Sequence, residues 1–307
     1  MSVYCCVGNP DLLRKTLSAL VIQSEGWATL IFTPDDVMFH VEGSNQSMTA
    51  TAVLPRQFFS EYSVAPVSFT THLPTLLSAL TMSASANITL AYTPTDGRLV
   101  VELGANSDEG RLLQSQVVTR PVGDSLLNLR FKDAALSFQV VLVGDVVREA
   151  ISDISAAQCP VTVLTITATH GVLLEGVDGP FGDVQIQLVR GSEVFLGGHG
   201  TGSSSSTRVL TDHLALATAA SKPAVRRGKG GAGGGAPSGA RDDLVWSAAV
   251  GGSAGSGPSP STGFERVTLQ INAQRQLSVI HTQHDHNVKA NVTVVVMPVM
   301  DFAYDAP

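Results

Sequence analysis

With 307 residues, 44% of them hydrophobic, 15% charged and a formal net charge of −7, the sequence has room for about two domains with substantial cores. This composition excludes global disorder, and the acidic balance excludes a chain that grips nucleic acid through bulk charge. No stretch approaches the ~18 consecutive apolar residues of a membrane span, so no membrane partner is expected.

The opening SVYCCV reads as a short strand. A helix follows with clear start signals: Asn9 to cap, Pro10 for the first turn, and Asp11 to complement the positive end of the dipole. Leu13, Leu17 and Leu20 then recur on one face, while Arg14, Lys15 and Ser18 point elsewhere. GWATLIFT, DVMFHVE, SMTATAVL and VSFTTHL are β-branched or alternating and predict strands. LPTLLSALTM predicts a second helix with Leu73, Leu76, Leu77 and Leu80 on a shared face, and ANITLAYT, GRLVVEL and LLQSQVVTRP predict three more strands, the first two joined by a TPTDG turn.

The second half repeats this order. After a strand at LSFQVVLV, the segment VGDVVREAISDI rewrites the first helix: Asp145 lies over Asp11, Arg148 over Arg14, Ile151 over Leu17 and Ile154 over Leu20. Past the helix, TITATHGVLLEGVDG lies over LIFTPDDVMFHVEG, with Ile166 on Ile31 and Val172 on Val37. Strands are predicted at VTVLTITAT, GVLLEGV and DVQIQLVR, a strand and helix within TRVLTDHLALATAAS, and closing strands at ERVTLQINA, QLSVIHTQ and KANVTVVVMPV. Each half thus reads strand, helix, three strands, strand, helix, three strands.

The expected organisation is a first domain over residues 1–121, a connector over 122–135 and a second domain over 136–307. Two segments interrupt the second domain: a flexible loop over 197–206 (GGHGTGSSSS) and a Gly/Ser/Pro-rich, disordered insertion over 222–263. The insertion falls between the last helix and the last three strands, a position that chain entropy tolerates. Nothing in MSVYCCVGNP reads as a signal peptide. Cys5, Cys6 and Cys159 show neither disulfide nor zinc spacing. A soluble intracellular chain is expected.

Two tandem domains of this order resemble the eukaryotic sliding clamps, the family of proliferating cell nuclear antigen. DVMFHVEGSNQSMTATAVLPRQFFSEYSV followed by VSFTTHLPTLLSAL is more particular. It resembles the Rad-one subunit of the nine-one-one (Rad-nine/Rad-one/Hus-one) checkpoint clamp, where a glutamate-containing strand (Glu42), an F-x-E-Y-like element (Phe59 to Tyr62) and an L-x-x-L-L-x-x-L helix (Leu73 to Leu80) come in this order. The resemblance covers nearly the whole chain outside the two interruptions. It implies an α+β, PCNA-like DNA-clamp fold of two tandem domains, each with two helices against antiparallel sheet. It also implies a ring with two related subunits, Rad-nine-like and Hus-one-like, set on double-stranded DNA by a clamp loader, in a nuclear protein of DNA-damage checkpoint signalling and repair.

Carried over by the same resemblance, Arg14, Lys15 and Arg148 would face the DNA, joined by Lys222 after the fourth helix. From spacing alone the first two are equally the solvated side of an amphipathic helix. Subunit contacts would be made by sheet edges, with LLQSQVVTRP against the neighbour's counterpart of DVQIQLVR and Val117, Val118, Ile186 and Leu188 as contacts, unless these are ordinary internal strand residues. A partner-peptide groove would involve Leu126, Leu127, Leu129 and Phe131 of the connector. Few basic side chains on the helices, with Glu149 and Asp153 on the third, favour a heterotrimer over a homotrimeric replication processivity clamp.

Catalytic patterns are weak. His281, His284, Asp285 and His286 in HTQHDH alternate faces on a hairpin and lack a second cluster to complete a metal shell. Gly251 to Gly255 matches a nucleophile elbow without a strand before it or a helix after it, and GKGG at 228–231 lacks the remainder of a phosphate loop. A metal-dependent 3′–5′ exonuclease, the alternative from another class, needs carboxylates converging on ions about 4 Å apart. Asp35-Asp36, Asp108-Glu109 and Asp242-Asp243 fall in turns or the insertion instead. The expectation is a non-catalytic chain without metal or cofactor.

Overall fold

Asn9 starts the first helix as its position in the sequence requires, its Oδ1 accepting the Leu12 N–H at 2.9 Å with Pro10 in the first turn. The computed structural model describes residues 2–23, 26–43, 45–82, 87–104, 112–123, 126–219, 264–285 and 288–299. The whole insertion expected over 222–263, and Lys222 with it, lies outside these residues.

The first half runs β1 (Val3–Val7), α1 (Pro10–Ala19), β2 (Trp27–Phe32), β3 (Asp36–Glu42), β4 (Met48–Pro55), β5 (Phe59–Val64), β6 (Val67–His72), α2 (Leu73–Thr81), β7 (Asn87–Thr93), β8 (Arg98–Gly104) and β9 (Leu112–Arg120). The second repeats it: β10 (Leu136–Val143), α3 (Gly144–Ala156), β11 (Val161–Thr167), β12 (Gly171–Val177), β13 (Val184–Val189), β14 (Phe195–Gly200), β15 (Ser204–Leu210), α4 (Thr211–Ala217), β16 (Arg266–Asn272), β17 (Leu277–Asp285) and β18 (Val288–Val296). Pairing repeats as well: β1 lies between β5 and β7, as β10 lies between β14 and β16. The β6–β2–β3–β4 ribbon likewise recurs as β15–β11–β12–β13.

Two strands correct the sequence reading. The F-x-E-Y element is β5, and the expected flexible loop over 197–206 is the end of β14, a short turn and the start of β15. Glycines made β14 look like a loop, yet they are what lets it pair. A Cβ at Gly200 would lie 2.3 Å from the Phe138 ring, and one at Gly198 would lie 2.8 Å from the Gln139 carbonyl oxygen.

The halves join through one strand pair, β18 with β4, from Asn291 opposite Val53 to Val296 opposite Met48. Duplication assigns each partner a counterpart: β9 for β18, and β13 for β4. Apart from a two-residue contact between β9 and β6 at Thr70 and Thr71, the outer edges of β9 and β13 carry no strand among the described residues. The helices gather in pairs, α1 on α2 and α3 on α4, and both α1 and α4 touch β18 at the seam.

One glycine fixes the start of α3. A Cβ at Gly144 would stand 2.0 Å from the Phe264 carbonyl oxygen, and the Gly144 N–H donates to the Glu265 carbonyl at 3.1 Å. The need is for close approach of two backbones, since Pro10 fills the corresponding position of α1. Gly144→Ala is expected to destabilise the protein by about 2–3 kcal/mol, read from urea unfolding. A loss below about 0.5 kcal/mol would show that the 264–265 backbone yields freely.

Candidate nucleic-acid interface, sheet edges and connector groove

The duplicated helices carry a duplicated ion pair. Arg14 Nη1 reaches Asp11 Oδ1 at 2.8 Å, and Arg148 Nη2 reaches Asp145 Oδ1 at 3.0 Å. Arg14 is the more embedded, its Nε donating to the Leu80 carbonyl at 2.8 Å and so tying α1 to the end of α2. Lys15 turns toward the second half, with Nζ 5.3 Å from the centre of the Phe264 ring. Burial lowers its pKa from the ordinary value, opposed by the Asp145 and Glu265 carboxylates and assisted by the nearby Arg148. The three described side chains of the four expected to face DNA are therefore also structural ties: Arg14 within α1 and to α2, Arg148 within α3, and Lys15 across the seam.

Charge on the helical layer follows from the four helix sequences. Against Arg14, Lys15 and Arg148 stand Asp11, Asp145, Glu149, Asp153 and Asp212. Lys15 in the first copy becomes Glu149 in the second. The exposed positions of the four helices are Asp11, Thr75, Ser78, Thr81, Glu149, Ser152, Asp153, Ala156 and Asp212, with no lysine or arginine among them.

At the open edges the four residues expected as contacts divide. Val118 is 60% exposed and Ile186 half-buried, while Val117 and Leu188 are buried against the core. Comparison with the closed seam identifies what covers such an edge. In register from the buried leucines Leu99 and Leu277, Leu113 corresponds to Val292. Leu113 is 43% exposed, whereas Val292, covered by β4, is fully buried. On the other side Ile186, opposite Leu174, corresponds to Ala52, opposite Phe39, and Ala52 is likewise fully buried. Leu113 escaped the sequence reading because only the intact seam shows its counterpart covered.

The connector crosses β2 and β3 and leaves a groove of about 280 Å³, lined by Gln23, Trp27, Thr29, His40, Glu42 and Leu126 among others. Leu126 is the one connector residue of the four expected that lines it. Leu127 instead donates its N–H to Glu42 Oε1 at 2.7 Å, and the carbonyls of Leu129 and Phe131 accept from Gln276 and Asn272. Those bonds fasten the connector to both halves. The groove residues of β2 and β3 went unrecognised, although the i, i+2 spacing of His40 and Glu42 puts both on one strand face.

His40 is 8% exposed. Its Nδ1 pairs with Thr51 Oγ1 at 2.9 Å, and its buried Nε2 has no hydrogen-bond partner among the described residues although it is 3.8 Å from Glu42 Oε1. Burial lowers its pKa from the ordinary 6.5, with Glu42 opposing. Between the unfolded value and the lower native one the unfolded chain holds more protons, so stability falls as pH drops through that window. His40→Asn should lessen the loss of urea stability between about pH 7.5 and about pH 5.5. An unchanged loss would place the slope elsewhere, with His213, also lowered by burial, the next group to replace.

The HTQHDH histidines do not converge. His281 is buried in β17 with Nε2 2.6 Å from the Ala217 carbonyl at the end of α4. The side chains of His284 and Asp285, with His286, lie outside the described residues, as do the glycine-rich patterns at 228–231 and 251–255. Among the described residues no group of three His, Cys, Asp or Glu side chains is placed to hold a metal.

Comparison with known proteins agrees with this architecture. The structure resembles PCNA from Thermococcus kodakaraensis, with a TM-score of 0.71 at 10% identity over 97% of this chain and 100% of that one. It also resembles Proliferating Cellular Nuclear Antigen from Entamoeba histolytica, with a TM-score of 0.72 at 9% identity over 97% of this chain and 99% of that one. At such identities the likeness is one of fold: an α+β, PCNA-like clamp fold. No curated protein matches the sequence. Residues 7–218 match the family described as Repair protein Rad1/Rec1/Rad17, and the chain belongs to that family.

Proposed function

We propose that this chain is one subunit of a heterotrimeric ring that encircles duplex DNA and serves, without catalysis of its own, as a platform in DNA-damage checkpoint signalling and repair in the nucleus. The observation that carries the reading is the pair of open edges. A chain that joins its own halves through β18 and β4, and among the described residues leaves the outer edge of β13, and that of β9 beyond its two residues with β6, without a strand, repeats the same joint with its neighbours. Three such chains close six domains into a ring, and closure removes the exposed strand edges that would otherwise template aggregation.

The charge of the helical layer favours unlike neighbours. Six domains bearing this set of helices would line a bore with more carboxylates than basic groups, which phosphate repels. Two related subunits, of Rad-nine-like and Hus-one-like type, supply the missing positive charge in this reading. Arg14, Lys15, Arg148 and Lys222 are this chain's own contribution, and a clamp loader opens the ring onto DNA. The connector groove receives a partner peptide.

The deciding experiment is the solution mass of the purified chain, alone and co-expressed with clamp-like subunits of the two other types. A monomer that becomes a one-to-one-to-one trimer is the expected result. A stable homotrimer would make it a processivity clamp instead. Mg²⁺- or Mn²⁺-dependent nuclease activity, abolished by changing one carboxylate, would overturn the non-catalytic assignment.

A further inference from the structure

Phe181 is 87% exposed, more than any other large apolar side chain among the described residues, and Val118 follows at 60%. A single apolar side chain in water is ordinary. The places of these two are not: Phe181 stands in the turn before β13 and Val118 near the end of β9, one on each open edge.

The closed seam shows what meets at such places. Five residues before Ala52 stands Ser47, and five before its counterpart Ile186 stands Phe181. Five residues after Val292 stands Met297, and five after its counterpart Leu113 stands Val118. Ser47 and Met297 are partners, the Met297 N–H donating to the Ser47 carbonyl at 2.8 Å one step past the β4–β18 ladder. Beyond it the chain turns to β15, where the Val299 N–H reaches the Arg208 carbonyl at 2.7 Å. The end of β9 turns to β6 in the same way, with Thr119 opposite Thr71 and Arg120 opposite Thr70. Val118 is therefore the last position of β9 open to a neighbour's edge, and Phe181 is what this chain offers at the matching position of its other edge.

The turn holds the ring out. Gly179-Pro180-Phe181-Gly182 closes with the Gly182 N–H on the Gly179 carbonyl at 3.1 Å, proline second and glycine fourth as a tight turn prefers. Gly182 takes φ of +100°, so Phe181 stands at the end of the ladder, out of line with β13. Underneath, Gly179 fits against the buried Cys159, whose sulfur would lie 2.7 Å from an added Cβ. Asp183 Oδ1 accepts the Asp178 N–H at 3.1 Å across the same turn. A backbone already fixed in this way loses little freedom when the ring is covered.

We infer that Phe181 is the anchor of the joint made by β13: its ring packs over the end of the neighbouring subunit's β9-like strand, against an apolar side chain at the position of Val118. This rests on the ring reading and names the side chain that pins the joint. A buried aromatic at an interface carries a large share of the binding. Ser47 needs no such ring, because the seam joins two parts of one chain.

The test uses the full chain and the clamp-like subunit whose association Ile186→Lys abolishes, with sedimentation of the pair over a concentration series. Phe181→Ala should weaken that pair about tenfold, and Phe181→Leu should recover most of the loss. Affinity for the other neighbour and the thermal midpoint of the isolated chain should stay unchanged. Phe181→Ala binding within about twofold of the unaltered chain overturns the anchor and leaves the ring reading standing. Equal weakening toward both neighbours also overturns it, since the turn belongs to one joint. If no subunit pairs with the chain through β13, the ring reading falls and the anchor with it.

Discussion

Phe69→Ala is expected to remove about 4 kcal/mol of folding stability and to lower the thermal midpoint by about 10 °C. Phe69 is 1% exposed. It stacks on Tyr92 with ring centroids 4.1 Å apart, and on Phe32 at 5.7 Å. Phe69 and Phe32 come from the paired strands β6 and β2, while Tyr92 comes from β7, three strands further along the sheet order, so this side chain packs the β2–β6 segment against the β7 segment. Truncation forfeits burial and leaves a void that stiff strands on both sides cannot close. Phe181, 87% exposed in the turn before β13, is the control, and Phe181→Ala should change stability by less than about 0.5 kcal/mol. Urea unfolding of both variants decides the matter. A Phe69→Ala loss near 1 kcal/mol would mean that the sheets collapse onto the void and are less rigidly layered than drawn.

How much of this was legible in the sequence depended on where the information sits. The helices were, because Asn9, Pro10 and Asp11 act within one turn and the leucines recur at helical spacing. Duplication was legible for the same local reason: Asp11 with Arg14 and Asp145 with Arg148 are pairs three residues apart, and both form. Strands β5 and β14 were harder. In β14 the glycines answer a need imposed by Phe138 and Gln139 on a distant strand, which no local pattern reveals. The groove was harder still, since Thr29, His40 and Thr51 become neighbours only through the registers of β2, β3 and β4. The connector leucines looked like groove lining by composition. The backbone bonds of Leu127, Leu129 and Phe131 made them fastenings instead. Arg14 and Arg148 were read as polar-face residues, but the ion pair that engages each was readable from the same spacing.

Leu113→Lys on β9 and Ile186→Lys on β13 are expected to break the proposed ring at different joints and so to leave different fragments. Each subunit of a closed ring uses β9 toward one neighbour and β13 toward the other. A lysine at Leu113 should therefore abolish association with the neighbour on the β9 side while sparing the β13 side, and Ile186→Lys should do the reverse. The double variant should be monomeric. In the isolated chain a lysine at either site can lay its stem along the edge and keep its ammonium in water, so loss of fold is not the expected cause. Once a strand covers the edge, as β4 covers Val292 and β18 covers Ala52, the ammonium is buried without a partner. That costs about 3 kcal/mol or more and weakens the joint at least about a hundredfold. Sedimentation of pairwise and three-way mixtures reads the outcome directly, with thermal midpoints confirming that each variant is folded. Three-way complexes of unchanged mass and stability would show that β9 and β13 are not the joints. Loss of both neighbours from either single variant would show instead that the two edges act on one partner rather than two.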